Sequence, residues 1–177
     1  RYWRDWSSDV CSSDLAIAAP ALARLLESDP DTRVRVVGFL DSIGPLAPHA
    51  DRVEQFPLQD WINLQKLIAE VEINIAPLQD NIFTNCKSEL KFFEAAAVGT
   101  WTIATPTETF RSSITSPDLG QLARADEWDD ALATAVRLVR SQPRHAVLAE
   151  ANAAHVRERY GWNHFGDRIV EATLRHE

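Results

Sequence analysis

Apolar positions along this chain switch between two spacings. Four-residue runs such as Val34-Arg-Val-Val37, Ile73-Asn-Ile-Ala76 and Trp101-Thr-Ile-Ala104 have the length and composition of strands buried on both faces. Residues 52–56 and 121–124 predict two further short strands. Between these runs apolar residues recur every three or four positions, the helical period. Trp61, Leu64, Leu67 and Ile68 give one apolar face to a helix over 60–69, and residues 87–98 predict a helix stopped by Gly99. Residues 15–27 read as a helix interrupted by Pro20 and ended by the turn chemistry of Ser28-Asp-Pro-Asp31. Helices over 127–140, 145–159 and 162–175 follow, the first with a face of Trp128, Leu132, Val136 and Val139. Trp61, Trp101, Trp128 and Trp162 all fall at apolar positions and are expected in the core.

Short strands alternating with long helices imply right-handed crossovers and a parallel sheet with helices on both faces, a Rossmann-like α/β domain. Ligands of such sheets lie beyond the carboxyl ends of the strands. The loops after Ala76 and Ala104, which carry Pro77 and Pro106 near their starts, are therefore expected to border the site, with residues 79–85 a polar loop. No internal period suggests a solenoid.

Composition narrows the class. At 177 residues, 45% hydrophobic and 25% charged, the chain is one ordinary globular domain. Its 26 acidic and 18 basic side chains leave a net charge of -8, which repels a phosphate backbone and argues against a general nucleic-acid binder. The longest apolar stretch, residues 15–23, is nine residues and contains Pro20, whereas a spanning helix needs about 20, so no transmembrane segment is expected. Two cysteines, Cys11 and Cys86, build no disulfide framework, no Cys or His cluster has zinc spacing, and the expected location is the cytoplasm. The chain has no Met and reads as a fragment. Residues 1–14 are rich in Ser, Asp and Trp, with a near-repeat of Ser7-Ser-Asp9 at Ser12-Ser-Asp14. They resemble translated sequencing-adapter sequence, and the expectation is a non-native or disordered leader followed by a domain over 15–177.

The chemistry concentrates between Asn74 and Gly99. A strand, a polar loop and a helix start lie in succession, and unpaired N–H groups in a first helical turn suit a phosphate. Lys87 and Lys91 add full charges there. Glu94 follows Lys87 by seven residues and Lys91 by three, which on a helix puts all three on roughly one face. A carboxylate in that place accepts two hydroxyl donors, as a ribose offers. The plainer alternative is a solvated Glu94–Lys91 ion pair worth a few tenths of a kcal/mol, with Asn85 or Ser88 as an ordinary helix cap.

Glu94-Ala-Ala-Ala-Val-Gly99, continued by Trp101-Thr-Ile-Ala-Thr-Pro106, resembles the C-terminal donor-binding domain of GT-B glycosyltransferases of the family 4 type (glycosyl transferases group 1). In that family a strand ending in Pro leads to a helix bearing Glu, seven residues, Glu, then Ala-x-Ala-x-Gly. Residues 30–38 and Tyr160-Gly-Trp162 resemble further landmarks. The resemblance implies a retaining, hexosyltransferase-type transfer from a nucleotide-diphosphate sugar, without a bound metal or other cofactor, and makes Glu94 the ribose ligand. It departs from the pattern at Cys86, eight residues before Glu94, where the family carries its first Glu. The loop after Pro77 is about five residues longer than the common form, an insertion of the kind loops tolerate. Lys87-Ser88 replaces the usual Gly-Phe, so Lys87 and Ser88 are implied to meet the diphosphate or sugar, with Asn85, Thr107 and Glu108 nearby. The family's first strand, its phosphate-binding loop and its N-terminal acceptor domain are expected to be missing, leaving a chain inactive alone. The alternative is a non-catalytic nucleotide or sugar-phosphate binding domain, since a fold does not fix an activity.

Overall fold

A computed structural model of the protein describes residues 2–6 and 11–174. In chain order these form β1 (Tyr2–Trp6), α1 (Cys11–Ser28), β2 (Arg33–Val37), a run of 3-10 turns (Gly44–Arg52), β3 (Val53–Phe56), α2 (Trp61–Ala69) and β4 (Ile73–Ala76). Then come α3 (Ile82–Asn85), α4 (Leu90–Ala97), β5 (Trp101–Ala104), α5 (Glu108–Ser113), β6 (Gly120–Leu122), α6 (Trp128–Arg140), α7 (Gln142–Tyr160) and α8 (Trp162–Leu174). The strands make one parallel six-stranded sheet in the order β3-β2-β1-β4-β5-β6. The α/β class, with helices on both faces, is the one expected.

Register decides what each face of the sheet can carry. Ile73, Asn74, Ile75 and Ala76 pair with Trp101, Thr102, Ile103 and Ala104 in turn. Because strand side chains alternate, Ile73, Ile75, Trp101 and Ile103 all face one way, into the cluster with Leu15, Ala18, Leu22 and Leu26 of α1 and Trp128, Leu132 and Ala135 of α6. The small residues Ala76 and Ala104 face the other way, against Phe92 and Ala96 of α4. Small side chains on that face let α4 sit close to the sheet. Full burial of a side chain such as Leu22, 0% exposed, contributes about 1.5–3 kcal/mol.

The helix ends are satisfied locally. Arg52 donates to the carbonyl of Leu26 at 2.6 Å and to that of Asp29 at 3.0 Å, closing the end of α1. At the end of α4 the N–H of Gly99 donates to Ala96 and that of Thr100 to Ala95, the reciprocal pattern of a Schellman stop. Gly99 has φ +82°, and a Cβ there would come within 3.2 Å of Ala149 Cβ on α7.

Several expectations need correction. Residues 1–14 were expected outside the fold, with the first strand absent. Instead Tyr2–Trp6 lies at the centre of the sheet between β2 and β4, and residues 11–14 open α1. The physical reason is the slot itself: β2 and β4 are each bonded to this strand and not to each other, so extended backbone must fill it. Residues 1 and 7–10 lie outside the described residues. The helix expected from Lys87 begins at Leu90, because Asn81 and Thr84 cap a separate short helix, α3, in the loop expected to be irregular, and the chain must turn again before α4. Helix α5 was not expected, and β6 runs one to two residues earlier than its sequence pattern. Of the tryptophans expected in the core, Trp101 and Trp128 are buried but Trp61 and Trp162 are 67% and 70% exposed. Helix α2 buries Leu64 and Ile68 of its stripe and packs the half-buried Leu67 beside them, leaving Trp61 outside, and α8 buries no residue.

Gly99→Ala is expected to cost about 1–2 kcal/mol, because the left-handed conformation disfavours a Cβ and Ala149 stands in its way. Urea unfolding followed by circular dichroism checks this, and an unchanged midpoint would contradict it.

Candidate functional site

The sheet order reverses between β1 and β4. The helix after β1 covers one face and the helix after β4 the other, which opens a crevice at the carboxyl ends of these strands. Three loops meet there. The Gln79 N–H donates to Asp14 Oδ1 at 3.0 Å, tying the loop after β4 to the first turn of α1. The Leu78 N–H donates to Thr105 Oγ1 at 2.9 Å, tying the same loop to the end of β5.

The loop after β4 is ordered from within. Asn81 accepts from the Thr84 N–H at 2.9 Å while the Thr84 hydroxyl accepts from the Asn81 N–H at 3.2 Å, a reciprocal cap on α3. Thr84, buried, also donates to the Gln79 carbonyl. Asn85 donates to Asp80 Oδ1 and to the Asn81 carbonyl, each at 2.9 Å, and its Oδ1 accepts from the Glu108 N–H at 3.0 Å. Thr109 Oγ1 donates to the Lys87 carbonyl at 2.9 Å. Asn85 and Lys87 are thereby held against the segment that starts α5.

The residues singled out by sequence fall in two groups. Asn85, Lys87, Ser88 and Thr107 gather at this junction. Lys87 is half-buried with Nζ 5.0 Å from the Phe83 ring centroid, and Ser88 is exposed. Thr107 is 0% exposed, and its hydroxyl caps α5 by accepting from the Phe110 N–H at 3.5 Å. Glu94 stands on the second turn of α4, 6% exposed. Lys87, Lys91 and Glu94 do not share one helical face, because Lys87 precedes the helix. Cys86 and Glu108 are exposed. Among the described residues no group of three or more His, Cys, Asp and Glu side chains is placed to hold a metal ion, and no helix is long and apolar enough to cross a membrane.

Two positioning features escaped the sequence reading. Asn74, 2% exposed, donates to the Lys91 carbonyl at 3.1 Å and to Thr102 Oγ1 at 3.2 Å, binding α4 to the two strands beneath it. Its signal was available: single polar residues at matching places in two otherwise apolar strands. Tyr160, the last residue of α7, donates to Glu89 Oε1 at 3.0 Å and reaches Ser113 Oγ at 3.1 Å, with its ring stacked on Phe93 at 4.8 Å. Only its place in the Tyr-Gly-Trp string marked it. Burial chiefly raises its pKa, the Glu89 carboxylate adds to the rise, and the bond to Ser113 opposes it.

Neither a protein-family model nor a curated protein matches the chain. Solved structures do. Anabaena HepE in complex with UDP and glucose superposes on 98% of this chain with a TM-score of 0.80 and 14% identity. Sucrose-phosphate synthase of Thermosynechococcus elongatus does so over 98% at a TM-score of 0.73 and 16% identity. The glycosyltransferase WaaG, involved in lipopolysaccharide biosynthesis, covers 90% at a TM-score of 0.69 and 18% identity. The chain spans 43–48% of the length of these three structures. Its architecture is that of the C-terminal, Rossmann-like half of GT-B glycosyltransferases.

Tyr160→Phe is expected to lower stability by about 1 kcal/mol at neutral pH through loss of its hydrogen bonds. A raised folded pKa means that the neutral phenol is the stabilising form. The gap between parent and variant should therefore hold below the ordinary tyrosine value of about 10 and close as pH rises through the raised one. Denaturant titrations at several alkaline pH values check the trend, and a gap that widens with pH would contradict it.

Proposed function

We propose that this chain is the donor-binding half of a cytoplasmic, retaining glycosyltransferase of the family 4 type, which takes a hexosyl group from a nucleotide-diphosphate sugar. The observation that carries the reading is Glu94: a carboxylate removed from water, 6% exposed, on the helix that follows the loop gathering Asn85, Lys87 and Ser88. A carboxylate accepts hydrogen bonds through both oxygens, and the two hydroxyls of a ribose are donors of that kind. Fold likeness to UDP-bound HepE supports the choice of ligand.

In this reading Glu94 accepts from the ribose hydroxyls. Lys87, Lys91 and the first turn of α4 face the diphosphate and offset its charge as the sugar departs, a task that preorganised cations and N–H dipoles perform without a metal. Ser88 lies within reach of the diphosphate or sugar, while Asn85 and Thr107 set the backbone beneath it. Transfer requires an acceptor hydroxyl held in line with the leaving group, which an additional acceptor-binding domain provides, so the chain alone is inactive. Cys86, exposed where the resemblance has its first acid, favours one rival, a nucleotide or sugar-phosphate binding domain without catalysis.

Calorimetric titration of the full 177-residue chain with UDP and with GDP tests the reading. One of them should bind, and Glu94→Gln should weaken it by about 10–100-fold, the cost of one or two hydrogen bonds to a charged group. Affinity unchanged in a folded Glu94→Gln protein removes Glu94 from the site, and an absence of binding by both nucleotides counts against the donor role. Release of sugar to an acceptor by a longer protein containing this chain separates the enzyme from its rival.

A further inference from the structure

A cavity lies away from the loops that gather Asn85, Lys87 and Ser88, beside the edge strand β6 and between the end of α6 and the start of α7. It measures about 730 Å³, within the range of small-molecule sites. Trp101, the first residue of β5, and Ile114 line its floor, and Leu138 of α6 and Leu148 of α7 its wall. Trp101 starts β5 at the amino-terminal edge, three residues before its last, Ala104, or roughly 10 Å along the strand, and the lining continues along the edge strand β6 from Gly120 to Leu122. The cavity shares no lining residue with the proposed donor site of Asn85, Lys87, Ser88, Glu94 and Thr107.

Its charge is unlike the rest of the chain. Arg137 and Arg144 both line it and no carboxylate does, although the chain as a whole carries -8. Arg24, Arg35 and Arg140 each pair with Asp or Glu. Arg137 donates only to Thr134 Oγ1, at 2.9 Å, and neither it nor Arg144 has an ion-pair partner among the described residues. The first turn of the 19-residue helix α7 borders the same space, and Ser141 before it makes no side-chain cap bond. A guanidinium fork matches the planar or tripodal oxygens of a carboxylate or phosphate, and the helix start adds to the same potential. The indole of Trp101, fixed by its bond to the Pro117 carbonyl at 3.3 Å, offers an apolar surface beside them.

We propose that this cavity binds a small organic anion, with a phosphate or carboxylate head held by Arg137 and Arg144 and an apolar or aromatic body laid against Trp101, Ile114 and Leu148. The head offsets two otherwise uncompensated cations, and the body displaces water from the floor.

Titration of the full chain, labelled with ¹⁵N, with phenyl phosphate tests this. The Trp101 indole N–H resonance, assigned through Trp101→Phe, should shift to saturation while that of exposed Trp61 stays in place. Inorganic phosphate, which lacks the ring, and benzyl alcohol, which lacks the charge, should each bind at least about tenfold more weakly. The double variant Arg137→Gln, Arg144→Gln alters exposed side chains, should keep the parent melting temperature, and should weaken phenyl phosphate by about tenfold or more. Arg137→Lys keeps the charge without the fork and should fall between the two. A Trp101 resonance that does not move, an equal response to inorganic phosphate, or a folded double variant that binds as the parent does overturns the proposal.

Discussion

One buried polar group fixes α4 against the strands beneath it. Asn74 is the only amide in an otherwise aliphatic four-residue strand, and it spends its donors on Thr102 across the register and on the Lys91 carbonyl above. A buried amide must be satisfied or it costs more than it contributes, so the position of α4 is not free: the first turn has to sit where that carbonyl meets the amide. The alanines at positions 76 and 104 make the approach sterically possible. The place of Glu94, one turn further on, follows from both.

The loops above that point are set in the same way, by small polar side chains bonded to backbone rather than by charged pairs. Thr84, Asn85, Thr105 and Thr109 each tie one loop to itself or to the next. Short side chains bonded to backbone lose little entropy on ordering, which suits a surface that must present charged residues without being built from them. The amino-terminal edge is built differently: apolar residues leave a space there, with two cations at its border.

Periodicity was enough to read five strands of the parallel sheet and the longer helices, though not the short α3 and α5, because buried strands such as Ile73–Ala76 and helices ended by a glycine such as Gly99 declare themselves in local sequence. Glu94 was singled out by its Ala-Ala-Ala-Val-Gly context, but its burial was not legible, since the same residue could sit on a solvated face. The start of α4 was misplaced because Asn81 and Thr84 are ordinary loop residues until seen paired as a cap. The exposure of Trp61 and Trp162 was equally hidden: a side chain at an apolar position is buried only if something covers it. The segment Tyr2–Trp6 shows no strand period of its own, and its place is set by the two strands on either side.

That central strand has a consequence for how the protein comes together. Strands β1, β2 and β3 are neighbours in both sequence and space, as are β4, β5 and β6, and within the sheet the two sets are hydrogen-bonded to each other only where β1 meets β4. A chain in which the slot between β2 and β4 stays empty would hold two short sheets, each with a bare inner edge of unpaired N–H and carbonyl groups. Such edges recruit other chains, so the seam at β1 stands between a monomer that closes on itself and one that is sticky to its own copies.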